Sequence, residues 1–428
     1  MKKNPPLHGQ SSFASAVRCG SGRTAYWIAL ALLGLTALNP TGALAQENAP
    51  TALASSQHDG NGDARSVGDV YVMTNAVNGN AVVVFERDAD GRLKKTETVW
   101  TGGRGTGGLL ENQGALMLGQ GNRWLFAANP GSDDISVFSV GEGGGLRLVD
   151  VVPSGGDRPV SLTVSQDLLY VLNAGSQGNI TAFRVGPRGR LAQLFNSTRN
   201  LSTTGSQPCP AVVKDLGDPD AICSIAGPTT IGFDPNGDVL VVTERLTGRI
   251  DTWTVGDDGR ATPAEIFSQP ANSTPFGFDF AQRGRLILAN SFQDLPGLGA
   301  ASSFLLSANG QLTPKTATLG NGNTSSCWTI ITNDGHVAFV TNPVSQAVTS
   351  YTIKADGTLS LRNHQAGTLT GGDPRDPALS EDGRFLYVLS NKTAVISAFR
   401  VKEDGSLKLL DFDAGQGFPP GANGLAAY

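Results

Sequence analysis

The sequence predicts an all-β, seven-bladed β-propeller whose first blade is completed by the C-terminal strand. Three observations support this prediction: a repeated strand pattern, a repeat length near fifty residues, and chain ends that complement each other. In each repeat an apolar run ending in Asn, or in a similar residue, is followed about ten residues later by an aromatic residue. The aromatic anchors are Phe85, Phe138, Phe183, Trp253, Phe304, Tyr351 and Phe399.

The spacing of these anchors fits one blade per repeat. Successive anchors are 53, 45, 70, 51, 47 and 48 residues apart, and a period near fifty suits four strands and their turns. The turn before the fourth strand contains Asp-Gly or Asn-Gly in five repeats, because glycine supplies a positive backbone φ. These turns are Asp90-Gly91, Asp258-Gly259, Asn309-Gly310, Asp356-Gly357 and Asp404-Gly405.

The two ends of the repeat array predict how the ring closes. The first repeat begins at Val70, directly on its second strand, and residues 419–428 resemble the inner strand of the other blades. We therefore expect Leu425 to Ala427 to pair with the strand around Val70 to Thr74, because an unpaired edge promotes aggregation. An open array with a frayed tail is the alternative.

The N-terminal segment has the pattern of an export signal. Four basic residues precede an apolar stretch from Ala25 to Leu38, and Ala43-Leu44-Ala45 resembles a signal-peptidase site. Residues 1–45 are therefore predicted to be a signal peptide, residues 46–68 a disordered leader, and residues 69–428 the propeller. We expect a secreted or periplasmic protein that is not held in a membrane after cleavage.

The charge of the mature chain limits its partners. Cleavage would leave 28 of the 32 Lys and Arg against 37 Asp and Glu, a net charge of about −9. Nucleic acid is not an expected partner, because phosphate binding needs a basic surface. His and Cys are scarce, so neither a metal nor a cofactor is expected, although Asn and Glu oxygens could hold Ca²⁺. We expect a monomer that binds a small molecule.

Two cysteines bracket a predicted insertion at about residues 193–226, where the anchor spacing rises to 70 residues. In an oxidising compartment, a disulfide between Cys209 and Cys223 would stabilise this loop by about 3 kcal/mol. Two free thiols are the alternative. Cys327 lies in an apolar strand and is interpreted as a core residue rather than as a nucleophile.

Propeller topology predicts where a site would lie. The first two strands of a blade are antiparallel, so residues before strand one and after strand two emerge on the same face, around the channel. Seven such loop pairs would line a funnel whose amides suit a polar small molecule. The positions after strand two are Asn75, Asn129, Asn173, Glu244, Asn290, Asn342 and Asn391. The positions before strand one include Gln113, Arg158, Thr229, Thr274, Ser326, Arg375 and Asp376.

Glu244 is the one acidic residue in the series after strand two. A carboxylate in a partly desolvated site can act as a general base or acid, so Glu244 is a candidate catalytic residue. An ion pair with the adjacent Arg245 is the alternative. The Asn residues have a structural alternative too, because Asn after a strand can cap a turn with its own side chain.

Three segments of the repeats carry a family resemblance: Pro374 to Val388, Gly227 to Gly237, and Val241 to Arg245. They resemble the seven-bladed β-propeller lactonase family, which includes bacterial propeller-type 6-phosphogluconolactonases and fungal carboxymuconate-lactonising enzymes. The resemblance covers about residues 69–428. It implies a lactonase-like hydrolase, or a lactonising cyclase, that acts on a small polar or sugar-like lactone.

The resemblance also implies roles for individual residues. Glu244 matches the family's Glu and Arg375 matches a Pro-Arg phrase, so these two are predicted to be catalytic. Thr229 and Thr230 stand where 6-phosphogluconolactonases typically have Arg and His, which argues against a phosphorylated sugar lactone. The residues predicted to bind substrate or to stabilise an oxyanion are Arg158, Asn129, Asn173, Arg245, Asn290, Asn342 and Asp376.

A non-catalytic propeller that binds a glycan or a protein is the alternative function. A fold does not by itself fix an activity, and the two Thr residues remove a cation and an imidazole from the expected site. Lactone turnover that depends on Glu244 would separate the two hypotheses.

Overall fold

In the computed structural model, residues 67–428 form a closed ring of seven antiparallel blades. The inner strands of neighbouring blades contact one another around a central axis. Each blade runs from the axis to the rim in chain order, except that the inner strand of the first blade is C-terminal. The predicted fold is confirmed. The predicted signal peptide and residues 46–66 of the predicted leader lie outside the described residues.

The first four blades have the following strands, from the axis to the rim. The first blade has Leu425–Ala427, Gly68–Met73, Ala81–Arg87 and Leu93–Trp100. The second has Leu116–Gly119, Trp124–Asn129, Asp134–Val140 and Leu146–Pro153. The third has Pro159–Ser165, Leu168–Asn173, Asn179–Val185 and Leu191–Gln193, with Arg199–Asn200 also pairing with its third strand. The fourth has Pro228–Phe233, Val239–Glu244, Arg249–Val255 and Ala261–Ser268.

The other three blades are regular four-stranded sheets. The fifth has Pro275–Ala281, Arg285–Asn290, Ala300–Leu306 and Leu312–Gly320. The sixth has Trp328–Ile331, Val337–Asn342, Ala347–Ile353 and Leu359–Thr368. The seventh has Pro374–Leu379, Phe385–Ser390, Val395–Val401 and Leu407–Gly415.

Short elements outside the blade strands complete the described chain. A two-stranded hairpin, Ser206–Pro208 and Ile222–Ser224, lies between the third and fourth blades. The 3-10 helices are Ala211–Val213 and Phe292–Asp294. Within residues 67–428, no helix is long and apolar enough to cross a membrane.

The apolar core contains seven clusters that lie one at each interface between neighbouring blades, and a small eighth cluster of Phe276, Cys327 and Trp328. The cluster that joins the last blade to the first contains Val70 and Phe85 from the first blade and Tyr387 and Leu389 from the seventh. Alternating strand residues point to opposite faces of a blade, so each blade needs a neighbour on both sides. Burial of apolar surface therefore favours the closed ring.

The C-terminal strand closes the ring as the sequence predicted. Its antiparallel register pairs Leu425 with Val72, and Ala427 with Val70. Tyr428, just after the strand, donates its hydroxyl to Asp69 Oδ2 at 2.8 Å. These contacts satisfy the backbone groups on the inner edge of the first blade.

The predicted glycine turns also have the expected geometry and contribute to contacts between blades. The five glycines have φ between 70° and 88°, a region that favours glycine. Tyr170 donates its hydroxyl to Gly259 O of the next blade at 2.8 Å, and Tyr387 donates to Gly91 O at 3.0 Å. The turns therefore serve as acceptors for buried side chains of the preceding blade.

Deletion of residues 421–428 should abolish cooperative folding. The deletion removes the inner strand of the first blade and exposes the edge of Gly68–Met73, which we expect to cause aggregation. Thermal unfolding and size-exclusion chromatography of the truncated protein would measure this. Leu409→Asn, a substitution of a half-exposed outer-strand leucine, is a control that should leave folding intact. A truncated protein with an unchanged melting temperature would contradict the closure.

Candidate functional site

Residues 110–114, here called the axial segment, precede the inner strand of the second blade and lie across the ring axis. The backbone N–H of Gln113 donates to Thr229 O in the fourth blade at 3.1 Å. Its side-chain amide donates to Phe278 O in the fifth blade and to Thr329 O in the sixth, both at 3.0 Å. A segment of the second blade reaches these three blades together only by crossing the channel.

The axial segment has further partners in the third and sixth blades. The Asn112 side chain donates to Val160 O, and Ser161 Oγ donates to Gln113 O at 2.6 Å. Trp328 Nε1 donates to Asn112 O at 2.6 Å. The segment thus closes the channel on the face where first strands begin and second strands end, which we call the loop face.

Glu111 brings a carboxylate of the axial segment into contact with buried arginines. Its Oε1 lies 3.5 Å from Nη1 of Arg375, and both residues are about 1% exposed. Arg245 is also buried. Burial lowers the pKa of the Arg245 guanidinium, while the charges of Glu111 and Asp294 act in the opposite direction. Buried charges are unfavourable unless they are paired. The arginines of this cluster can therefore be buried because a carboxylate is buried with them.

Two other contacts orient the Arg375 guanidinium. Its Nε donates to Asp373 Oδ2 at 3.1 Å, and its Cζ lies 5.3 Å from the centre of the Trp328 ring. Trp328 in turn packs against Phe276, with ring centroids 4.9 Å apart. Because a guanidinium is planar, these contacts hold the edge that carries Nη1 towards Glu111.

Arg158 lies at the loop face of the third blade, at the base of the insertion. Its Nη2 donates to Val213 O at 2.5 Å, and its Nη1 lies 3.9 Å from Asp215 Oδ2. Its backbone has a positive φ of 58°, and its N–H donates to Asp133 Oδ1 at 2.6 Å. Burial lowers the pKa of Arg158, and the charges of Asp215 and Asp133 oppose this shift.

The insertion forms a disulfide-linked cover over this part of the loop face. Cys209 and Cys223 are bonded, with their Cα atoms 4.8 Å apart, as the sequence predicted. Leu216 N donates to Thr106 O at 2.8 Å, which joins the insertion to the loop between the first and second blades. Together with the contact between Arg158 and Val213, this hydrogen bond fixes the insertion across three blades.

A cleft of about 410 Å³ remains between the insertion and the loops of the first three blades. Its volume is within the range of small-molecule sites. Within residues 67–428, no group of three or more His, Cys, Asp or Glu side chains is arranged to hold a metal ion. The charged residues that line the cleft are Arg104, Asp133, Asp157, Arg158, Asp215, Asp218 and Asp220.

Glu244 lies away from this cleft, beneath residues that follow the third blade. It accepts hydrogen bonds from Ser202 Oγ at 3.1 Å, from Thr203 Oγ1 at 2.5 Å and from Thr247 Oγ1 at 2.6 Å. The neighbouring carboxyl of Asp251 has a raised pKa, because of burial and of the charge of Glu244. These contacts give Glu244 a structural role in holding residues 202–203, and its predicted catalytic role stays a prediction.

The four Asn residues that were predicted to bind substrate are fully buried, and their side-chain amides donate to nearby protein groups. Asn129 donates to Asp134 Oδ1 at 2.6 Å and to Ser136 Oγ at 2.7 Å. The side-chain amides of the other three Asn residues that were predicted to bind substrate also donate hydrogen bonds, either within their own blades or to the preceding loop. These contacts are Asn173 to Asn179 and Ser154, Asn290 to Ser302, and Asn342 to Val340, Ala347 and Thr349. The contacts favour the structural alternative over an oxyanion role.

Asp376 is buried beside the axial segment rather than in the cleft. It accepts a hydrogen bond from Gly424 N at 3.4 Å. Burial raises the pKa of its carboxyl to about 7, against the opposing effects of that hydrogen bond and of Arg375. Of the predicted site residues, the structure therefore brings Arg245, Arg375 and Asp376 to the axis, and places Arg158 at the cleft.

Sequence reasoning missed three residues that shape these sites. Glu111 lies two residues before Gln113, so the rule for loops before strand one could have found it. Asp133 follows the second strand of the second blade by a few residues and carries no distinct sequence signal. Asp215 lies inside the insertion, where no repeat pattern applies.

The closed ring, with buried charges and a polar cleft at one face, defines a propeller whose loop face is suited to ligand binding. The chain belongs to the family of seven-bladed β-propeller lactonases, whose model matches residues 70–205 and 304–419. The unmatched residues 206–303 contain the hairpin of the insertion and the whole fourth blade, including Glu244.

Solved structures share the fold at low sequence identity. A candidate 6-phosphogluconolactonase of Bacteroides uniformis is 18% identical, with a TM-score of 0.65 over 84% of this chain and 99% of that protein. The periplasmic gluconolactonase of Pseudomonas aeruginosa is also 18% identical, with a TM-score of 0.61 over 83% of this chain and 98% of that protein. At these identities the likeness shows the fold alone.

A curated relative gives little more information. An uncharacterized protein of Staphylococcus saprophyticus is 32% identical over 73 residues, which are 16% of this chain. The match spans about a fifth of the relative's length, 21%. The activity therefore has to be argued from the site.

Replacing both Cys209 and Cys223 by Ser should destabilise the insertion. The bridge closes a loop of 14 residues' separation, and its loss should cost about 3 kcal/mol of local stability. Limited proteolysis should then cut between residues 209 and 223, with peptide mapping to locate the cuts. Ser206→Ala on the same hairpin, an exposed position, is the control. Equal protease resistance of the double variant and the wild type would argue against a stabilising bridge.

Asp251→Asn should stabilise the protein more at pH 8 than at pH 5. Burial, with a further contribution from Glu244, raises the pKa of Asp251 from 3.8 to about 7. Between these values the folded protein holds a proton that the unfolded chain has released, so wild-type stability falls as the pH rises through this window. Asn keeps an acceptor for Ser202 N and cannot ionise.

Melting temperatures of wild type and Asp251→Asn, measured from pH 4 to pH 8, would test this effect. Asp167→Asn, at an exposed ion pair with Arg184, is the matched control. A difference between Asp251→Asn and wild type that does not grow with pH would show that Asp251 is ionised normally in the folded protein.

Proposed function

We propose that this protein is an exported hydrolase for a small polar lactone and that the lactone binds in the cleft of the loop face. One observation carries the proposal: in a member of the lactonase family, a cleft of about 410 Å³ combines a buried arginine, Arg158, with the carboxylate of Asp133. Lactone hydrolysis needs a cation or donor for the carbonyl oxygen and a base for water.

In the proposed reaction, water attacks the lactone carbonyl carbon and the ring ester bond breaks. Arg158 and the exposed Arg104 would bind the carbonyl oxygen as it gains negative charge. Asp133 would accept the proton of the attacking water and then pass it to the departing ring oxygen, which leaves as a hydroxyl. Partial burial raises the pKa of Asp133, which makes it a better base than an ordinary aspartate.

The charge of the cleft favours a neutral, hydroxyl-rich substrate. Five aspartates and two arginines line it, so a phosphate group would meet a net negative surface. Carboxylates are good acceptors for sugar hydroxyls. The fold is shared with a periplasmic gluconolactonase. The substrate in that name is a sugar-like lactone, and the location in that name is outside the cytoplasm. The disulfide between Cys209 and Cys223 supports an oxidising compartment.

The predicted catalytic pair, Glu244 and Arg375, gives a competing assignment on the same protein. Both are buried, and neither lines the cleft. Glu244 is held by three hydroxyl donors, and Arg375 is paired with Glu111 and Asp373. Catalysis by this pair would require the axial segment or the insertion to move. Asp133 and Arg104 are exposed at the cleft and need no such movement.

A non-catalytic binding role has one specific observation in its favour. The axial segment fills the channel where the sequence predicts an open funnel, so the buried arginines are closed to ligands in this conformation. A cleft that binds a sugar-like compound without turnover would use the same residues, and measurement of turnover distinguishes the two functions.

Asp133→Asn should reduce lactone turnover by about 10²- to 10⁴-fold without unfolding the protein, because Asn cannot accept the proton of the attacking water. The assay would follow acid release from a panel of aldonolactones and muconolactones. Glu244→Gln should leave the rate nearly unchanged. Asp167→Asn, outside the cleft, is the control for a lost surface carboxylate.

The outcomes separate the hypotheses. A large loss of rate in Glu244→Gln, with Asp133→Asn unaffected, would return the chemistry to the buried pair. Binding of a lactone by calorimetry with no turnover of any member of the panel would establish a binding module and overturn the hydrolase.

A further inference from the structure

We propose that Arg375, Arg245 and Trp328 form a binding site for a small carboxylate, and that Glu111 of the same chain occupies it. This site lies on the ring axis and is separate from the cleft. The inference does not depend on lactone turnover, because it concerns what the buried arginines recognise.

Contacts other than the one with Glu111 already hold the Arg375 guanidinium in one orientation. The Trp328 ring lies under its guanidinium at 5.3 Å, and Asp373 accepts a hydrogen bond from its Nε at 3.1 Å. Trp328 is itself fixed, through its Nε1, to Asn112 O at 2.6 Å and, through its ring, to Phe276. The edge with Nη1 is left to face Glu111 at 3.5 Å. A fixed guanidinium with one free edge is well suited to a carboxylate.

Arg245, a buried residue of the fourth blade, is close enough to Glu111 to be affected by its charge. Glu111 has the larger electrostatic effect on Arg245, ahead of Asp294. Glu111 is about 1% exposed, and Asp294 is only partly buried. Glu111 is therefore a buried anion that contacts Arg375 and stabilises the charge of Arg245, two arginines from different blades.

The backbone of the axial segment is bent to place Glu111 there. Glu111 has φ of 54°, in the left-handed region that disfavours a residue with a side chain. The neighbours Asn112 and Gln113 are fixed by hydrogen bonds to other blades, so this strained conformation is imposed by the surrounding structure. Arg158, Thr274 and Ser325, which precede the inner strands of other blades, also have a positive φ. The conformation therefore belongs to the blade repeat, and in the second blade it places the Glu111 carboxylate beside Arg375.

The chemistry of the site follows from its occupant. The side-chain carboxylate of Glu111 has the same charge and shape as formate or acetate. Removing that side chain leaves a space of the same size next to Arg375 and Arg245. A small free carboxylate should bind in this space, whereas chloride lacks the paired oxygens that match a guanidinium.

Chemical rescue of Glu111→Ala tests the proposal. The variant should melt several degrees below the wild type, because it leaves buried guanidinium groups without their carboxylate. Sodium formate or acetate should raise its melting temperature saturably, compared with sodium chloride at equal ionic strength. Calorimetry should detect the same binding. The wild type and Glu142→Ala, a variant at an exposed glutamate, should show no saturable effect.

Two further variants make the result decisive. Arg375→Gln added to Glu111→Ala should abolish the formate effect, and a formate effect that persists there would overturn the site. Glu111→Gln keeps the size of the side chain and removes its charge, so it should lower the melting temperature without rescue. If Glu111→Gln is as stable as the wild type, or if formate stabilises Glu111→Ala no more than the wild type, the proposal is wrong.

Discussion

Every blade of this protein has two apolar faces, and the rest of the structure depends on covering both. Seven buried clusters, one at each interface, do this. The requirement can be met for the first and seventh blades only if the ring closes, and the pairing of Leu425–Ala427 with Gly68–Met73 provides the closure. A break anywhere in the ring would expose apolar surface on two blades at once.

Closure of the ring creates a channel, and the axial segment shows how this protein fills it. Side chains and backbone groups of residues 110–114 hydrogen-bond to inner strands around the ring. Buried polar groups need partners, and the walls of the channel supply them. The open space at the loop face is consequently displaced from the axis to a cleft under the insertion.

The charged residues form two groups, one at the ring axis and one at the cleft. At the axis, Arg375, Arg245 and Glu111 are buried, and their opposite charges offset one another. At the cleft, Arg158 joins the insertion to the third blade and also lines the open space, together with Asp133 and Arg104. One face of the propeller thus holds a closed charge cluster and an open polar site side by side. The insertion and the axial segment decide which arginines a ligand can meet.

The sequence by itself determined the features that repeat. The blade count, the glycine turns and the C-terminal strand follow from local patterns, because each blade imposes the same strand lengths and the same positive φ. The Cys209–Cys223 bridge could be predicted as well, because the two residues lie close in the chain.

The tertiary structure decided the rest. The partners of Glu111, Arg375 and Arg245 come from three different blades, and the strand pattern of one blade does not report contacts across the axis. Glu244 and the Asn series were expected to face a funnel. The position of a residue at a strand end does not show whether its side chain points to the axis or into its own blade. The direction depends on hydrogen bonds that form only in the folded ring.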